Sequence, residues 1–189
     1  FEDGKNIKID YQNAQGEQAN CQTIAQKLIN DKDDLILAIA TPAAQAVANL
    51  TKDIPVLVTA VTDPASAKLV KSNEVPGTNV SGTSDLTPVE AQIHLIKKLV
   101  PDVKKIGFLY CSSEQNSYFQ IDIAKKVCDE LGIEYVDATV SNTNEVQQVT
   151  QNLVGKVDAI YAPTDNMIAS SMATVAMVTI PAKLPVICG

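Results

Sequence analysis

The sequence contains no arginine. All fifteen of its basic residues are lysines, set against 22 acidic ones for a net charge of −7. Arginine supplies the commonest base contacts and many phosphate contacts, so this composition argues against nucleic-acid binding. It also excludes a bidentate guanidinium grip on a carboxylate, leaving helix N-termini, hydroxyls and lysine for that task. No apolar run reaches the roughly eighteen residues that a membrane-spanning helix needs. Cys21, Cys111, Cys128 and Cys188 show neither a CxxC nor metal-ligand spacing. Cys21, Cys128 and Cys188 read as buried thiols. The one histidine, His94, lies within "AQIHLIKKL" on a helical pattern, away from any partner a general base would need. No GxSxG, Walker A or GxGxxG motif occurs. The sequence therefore offers no catalytic residue, no metal site and no cofactor site.

What is present is an alternation of strand-like and helical patterns along the whole chain, with 46% hydrophobic residues to build a core. "IKIDY" (7–11) alternates as a strand and 17–31 carries a helical stripe. "DLILAIA" (34–40) is a continuous apolar run, and "TPAAQAVANL" (41–50) opens a helix with Thr41 as cap and Pro42 at its first turn. Strands follow at 55–61 and 78–85. A helix then begins at a Thr87–Glu90 capping box and stops before Pro101. The second half runs strand 104–110, helix 116–132 closed by Gly132, a strand from 133, a helix with Asn142 and Glu145 as a second capping box, strand "VDAIYAP", helix "NMIASSMATVAM", and a last strand "LPVIC". This rhythm implies an α/β fold of parallel sheets with helices on both faces. Two units, 1–83 and 84–189, are expected, with the small polar residues Gly82–Asp85 where a hinge would lie.

In parallel α/β sheets ligands bind beyond the carboxyl ends of the strands. The residues there are Thr41 and Pro42; Thr62, Asp63 and Pro64; Ser84 and Asp85; Cys111 to Ser117; and Pro163, Thr164, Asp165 and Asn166. They are hydroxyls, amides and a few acids, with no basic residue, a lining suited to a small polar ligand with both donor and acceptor ends. Each also has a plain structural role. Thr41 can cap its helix, Asp63 before Pro64 can make a turn, and Ser112 and Ser113 can satisfy loop backbone. Asp165 can cap the helix that follows it, although Thr164 and Asn166 could cap in its place. Capping and ligand contact both account for it.

The motifs "EDGKNIKIDYQNAQGEQAN", "AIATPAAQA", "PVLVTAVTDPASAKLV", "NVSGTSD", "FLYCSSEQNS" and "DAIYAPTDNMIAS", in that order, resemble the extracytoplasmic substrate-binding proteins of ABC transporters. The branch is the one that includes tryptophan-binding and other aromatic-amino-acid-binding lipoproteins. The resemblance implies a type I periplasmic-binding-protein-like fold, with two Rossmann-like lobes closing on a hinge. It further implies that lobe 1 (1–83) lacks its first strand and helix, and that lobe 2 (84–189) lacks a C-terminal part. Carried over by position, Thr41, Ser112, Ser113 and Asn116 look like the carboxylate-holding side of an amino-acid site. Thr62, Asp63, Ser84 and Thr164 look like cleft wall, and Asp165 like the partner of the ligand's α-ammonium. Tyr110, Tyr118 and Tyr161 are the candidates for an aromatic slot. The implied partners are an amino acid and ABC permease subunits, with membrane attachment only through a lipid anchor outside this segment. A ligand-sensing module of the same fold, or an enzyme on a flavodoxin-like fold, are the rival readings.

Overall fold

Two separate parallel sheets organise the computed structural model, which describes residues 1–189. The first is built from α1 (Gln18–Asn30), β1 (Ile36–Ile39), α2 (Thr41–Leu50), β2 (Val56–Val61) and β3 (Val80–Ser84), with strand order β1-β2-β3. Strand side chains alternate between faces. Ile36, Ala38, Val56, Val58, Val61 and Val80 accordingly pack under α1 and α2 with Ala25, Ala44 and Val47. On the opposite face Leu37, Ile39 and Leu57 are exposed. The expected covering of both faces therefore does not hold for this sheet.

The second sheet holds β4 (Lys105–Cys111), β5 (Glu134–Val140), β6 (Ala159–Ala162) and β7 (Val186–Cys188) in the order β5-β4-β6-β7. Here both faces are covered. α3 (Val89–Leu99) and α4 (Gln115–Leu131) enclose one core around Ile93, Ile96, Phe108 and Ile121. α5 (Val146–Leu153) and α7 (Met172–Ala182) enclose the other around Leu109, Val146, Leu153, Ile160 and Val175. Burial on both faces is why β4 and β6 read as unbroken apolar runs. Gly132, in the left-handed region at φ 65°, ends α4 as expected.

Several local expectations are corrected. Residues 7–11 form no strand; a single bridge joins Asp3 and Ile7, and Ile9 and Tyr11 are exposed. A strand needs a neighbour to satisfy its backbone, and this segment has none; Asp10 is instead ion-paired with Lys27 of α1. Thr87 caps nothing: α3 starts after Pro88 with no side-chain cap, and the Thr87 hydroxyl is buried without a partner. The second capping box forms in part, with each contact shifted by one residue. Asn142 accepts from Asn144 N–H, and Glu145 reaches back to Ser141 N–H. The helix expected from 166 is two, α6 (Asn166–Ser170) and α7, because Ser171 N–H is shared between the carbonyls of Met167 and Ile168 and tightens the turn. Cys188 is exposed rather than buried, since it ends the edge strand β7.

The first sheet extends through Ser84, the last residue of β3, and the chain then crosses to α3 through residues 85–88. That end is fixed on β2: Asp85 N–H donates to Val61 O, and Ser84 Oγ donates to Thr62 O at 2.6 Å. Gly82 allows the close approach, because a Cβ there would lie 2.0 Å from Val58 O. Gly82→Ala should therefore lower the unfolding free energy by at least the ~1–3 kcal/mol typical of overpacking, read as a drop in urea midpoint. An unchanged midpoint would show that β3 shifts freely against β2.

Candidate functional site

The carboxyl ends of β1 and β2 carry unusual backbone. Ala40, between β1 and α2, has φ 76° and ψ 153°, and Ala60 has φ 53° beside the register shift between Val58 and Val61. Alanine in such regions costs on the order of 1–3 kcal/mol, and that strain tends to gather at functional sites. Because Ala40 takes the cap position, Thr41 does not cap α2; it is the first helical residue, almost fully buried, and no side chain closes the α2 N-terminus. The first-turn amides are thus available to an anion. Asp63 is committed to its own loop. Burial alone would raise its pKa, but hydrogen bonds from Ser66 N–H (2.6 Å) and Asn73 Nδ2 (2.6 Å) hold it below the ordinary value.

In the second lobe two buried acids lie side by side with no cation near. Asp165 is 3% exposed and caps α6 through Ile168 N–H to Oδ1 (2.8 Å). Its Oδ2 accepts Cys111 N–H and the Ser117 hydroxyl, each at 2.7 Å. Glu114, one of the strand-end residues between Cys111 and Ser117 but not among the expected ligand contacts, is 5% exposed. It accepts Met167 N–H on Oε1, and on Oε2 Asn166 N–H, Asn166 Nδ2 and Asn116 Nδ2. Burial and the neighbouring Glu114 charge together push the Asp165 pKa above its ordinary value, outweighing the hydrogen bonds that favour the carboxylate. The knot joins the β4–α4 loop to the β6–α6 loop.

Other expected residues fall as follows. Ser112 Oγ donates to Val140 O, and Ser113 Oγ sits 3.1 Å from Cys111 Sγ. Asn116 gives its amide hydrogens to Thr164 O (2.9 Å) and Glu114, so donation to a ligand carboxylate is closed to it. The aromatic slot is corrected in part. Tyr110 and Tyr161 are core residues, with Tyr161 Oη donating to Gln92, whereas Tyr118 keeps an exposed ring edge-on to Tyr110.

The two lobes meet along a seam of neutral polar contacts. Thr62 and Thr164 are 3.2 Å apart, Gln45 Nε2 of α2 donates to Gln115 Oε1 of α4 at 2.6 Å, Gln115 Nε2 donates to Ser66 O, and Gln18 Nε2 donates to Ser113 O at 2.8 Å. The glutamines carried no motif in the sequence. His94 lies exposed beside Glu90, and no three metal-ligating side chains cluster anywhere.

The family model described as ABC transporter substrate binding protein matches residues 1–189. A tyrosine-binding protein of Clostridioides difficile (strain R20291) is 50% identical over 187 residues, covering 99% of this chain and 54% of that protein. Among solved structures, an ABC domain from Streptococcus pneumonia in complex with L-Trp is 43% identical with a TM-score of 0.91, covering 95% of this chain and 62% of that one. The ligand-free, open structure of a substrate-binding protein with adhesive properties from Clostridium difficile is 50% identical but has a TM-score of 0.62, covering 100% and 64%. The chain thus spans between half and two thirds of the length of these relatives.

Asp165→Asn leaves Cys111 N–H facing an amide that cannot fully replace the carboxylate, and should destabilise by about 1–3 kcal/mol. An acid whose pKa is raised by folding stabilises most when protonated. That contribution is complete below the ordinary value of 3.8 and fades as pH rises through the raised one. Urea unfolding should therefore show the gap between wild type and Asp165→Asn widest in acid and narrowing toward neutrality. A gap that widens with pH would mean that the hydrogen bonds outweigh burial.

Proposed function

Because the chain belongs to the ABC transporter substrate-binding protein family, whose members bind solutes rather than catalyse reactions, we propose that it captures an aromatic amino acid, tyrosine or tryptophan, between its two lobes for an importer. The observation that carries this reading is the 50% identity over nearly the whole chain to a tyrosine-binding protein. The fold is type I periplasmic-binding-protein-like. The higher structural similarity to the L-Trp complex than to the open, ligand-free protein, despite lower identity, supports a closed arrangement of the lobes in this chain.

In this reading the open α2 N-terminus and the Thr41 hydroxyl hold the ligand carboxylate, which suits a protein without arginine. Thr62, Thr164, Ser84, Ser112 and Ser113 form the walls, and Tyr118 is the tyrosine left to meet an aromatic ring. Asp63 and Asp165 shape the site from behind. Ligand contacts made only in the closed form shift the lobes toward it, and the permease recognises that form. Such a protein works outside the cytoplasmic membrane, in the periplasm or lipid-anchored at the cell surface.

A thermal-shift screen of the full-length protein against amino acids tests the reading. Ligand at 100 times its dissociation constant adds about 2.7 kcal/mol, so tyrosine or tryptophan should raise the Tm by several degrees while sugars and nucleosides do nothing. A response confined to sugars or nucleosides overturns the amino-acid site.

The seam contacts give a second test. Gln115→Ala removes two neutral hydrogen bonds between lobes. Each contributes ~0.5–1.5 kcal/mol, about 1–3 kcal/mol together, so affinity for tyrosine should fall by roughly 5-fold and by no more than about 150-fold, with a larger ligand-free radius of gyration by X-ray scattering. No change in either would show that the seam does not bias closure.

A further inference from the structure

Gln120 is the one amide among the largest side chains that the protein encloses completely; the others are aliphatic or aromatic. An amide taken out of water in this way is costly unless it is bonded. Most of its bonds go to one residue of the β6–α6 loop. Oε1 accepts the Thr164 N–H at 3.2 Å, and Nε2 donates to the Thr164 carbonyl at 3.4 Å and to Asn116 O, one turn back on α4, at 3.1 Å. The orientation of the amide follows from chemistry, since the Thr164 N–H can only donate and its carbonyl can only accept. Asn116 Nδ2 adds a second hold on the same carbonyl at 2.9 Å. Thr164 lies beyond the end of β6, and neither its N–H nor its carbonyl has a backbone partner. Side chains of α4 therefore do for this loop what a neighbouring strand does for β6.

On its other side Thr164 meets the first lobe. Its hydroxyl is 3.2 Å from that of Thr62, which is itself buried and anchored where the Ser84 hydroxyl donates to its carbonyl. Each side of this seam contact is thus held from behind, by α4 in one lobe and by the end of β3 in the other. A hydroxyl pair at 3.2 Å is already longer than the ~2.7–2.8 Å usual for such bonds, so a further shift of about 0.5 Å in Thr164 breaks it. Gln115 is less dependent on such support, because it reaches Gln45 and Ser66 through its own long side chain. We infer that Gln120 is a positioning residue for closure of the cleft. It fixes the Thr164 hydroxyl where it meets Thr62, and through that contact it sets how tightly the closed form holds ligand. The inference rests on the amino-acid reading for the identity of the ligand. Gln120 bonds nothing in the first lobe, so a purely structural role would show in stability alone.

The test is a double-mutant cycle across the two lobes of the full-length protein, with Gln120→Met and Thr62→Val. Binding is read by calorimetry with L-tyrosine and with L-tryptophan, at a temperature where all four forms are folded. Each single variant should weaken binding by roughly 2- to 12-fold, the range for one neutral hydrogen bond, and the double variant no more than Thr62→Val alone. Ligand-free X-ray scattering on the same four proteins should follow the same pattern, with a larger radius of gyration in each single variant and no further growth in the double. Gln120→Asn, which keeps a buried amide but draws it back from Thr164 by one methylene, carries the comparison if the methionine variant does not fold. A folded Gln120 variant that binds like wild type, with only its melting temperature lowered, overturns the inference. So do losses that multiply in the double variant. If wild type binds no amino acid, the functional reading fails separately, and the scattering cycle still decides the role of Gln120.

Discussion

Glu114 and Asp165 are two buried acids with no cation beside them, and the ligand-facing end of the second lobe is arranged around keeping them satisfied. Three consecutive N–H groups of α6, from Asn166, Met167 and Ile168, point at their carboxylates, and the positive end of that short helix supplies what a lysine would supply elsewhere. The knot draws in Cys111 N–H and the Ser117 hydroxyl from the β4–α4 loop. Two loops from neighbouring strands are thereby fixed to each other. Joined, they bring the Ser113 carbonyl, Gln115 and the Thr164 hydroxyl to the other lobe.

A cleft that works by closing requires such stiffness on each side and softness between them. In the first lobe the close Gly82 approach seats β3 on β2, while the alanines at the ends of β1 and β2 hold a costly backbone. Between the lobes the contacts are neutral and partly exposed amides and hydroxyls. Each contributes little against water, so in the proposed reading closure without ligand is biased but not locked. An apolar seam of the same extent would hold the lobes shut and deprive the ligand of control over the equilibrium.

The order of strands and helices was legible because burial imposes period 2 or unbroken apolar runs on strands and period 3.6 on helices, and β4, β6, α3 and α4 obey those rules plainly. Where a segment's state depends on a neighbour, the sequence was silent. Residues 7–11 have a strand's pattern and no strand to pair with. Thr41 and Thr87 have a cap's chemistry, but Ala40 and Pro88 occupy the cap positions. Tyr110 and Tyr161 lie near the carboxyl ends of their strands and so looked cleft-facing, yet strand alternation sends Tyr110 to the same side as Phe108, into the core against α3 and α4. Asp165 was legible as a residue of consequence. Glu114 was not, because an acid before a helix usually lies in solvent and only the tertiary approach of α6 buries it.

The lack of arginine gives these observations a common cause. Amino-acid recognition needs an anion grip and a cation grip in one cleft, and a guanidinium can dominate the first by itself. In the proposed amino-acid reading the carboxylate side falls to backbone amides, and α2 offers such a start, because Ala40 takes the cap position and no side chain caps the helix. Glu114 and Asp165 then lie close together with no lysine beside them, held by backbone amides, the Ser117 hydroxyl and asparagine side chains. Burial and the neighbouring Glu114 charge raise the Asp165 pKa. The site is polarised by what it omits as much as by what it holds.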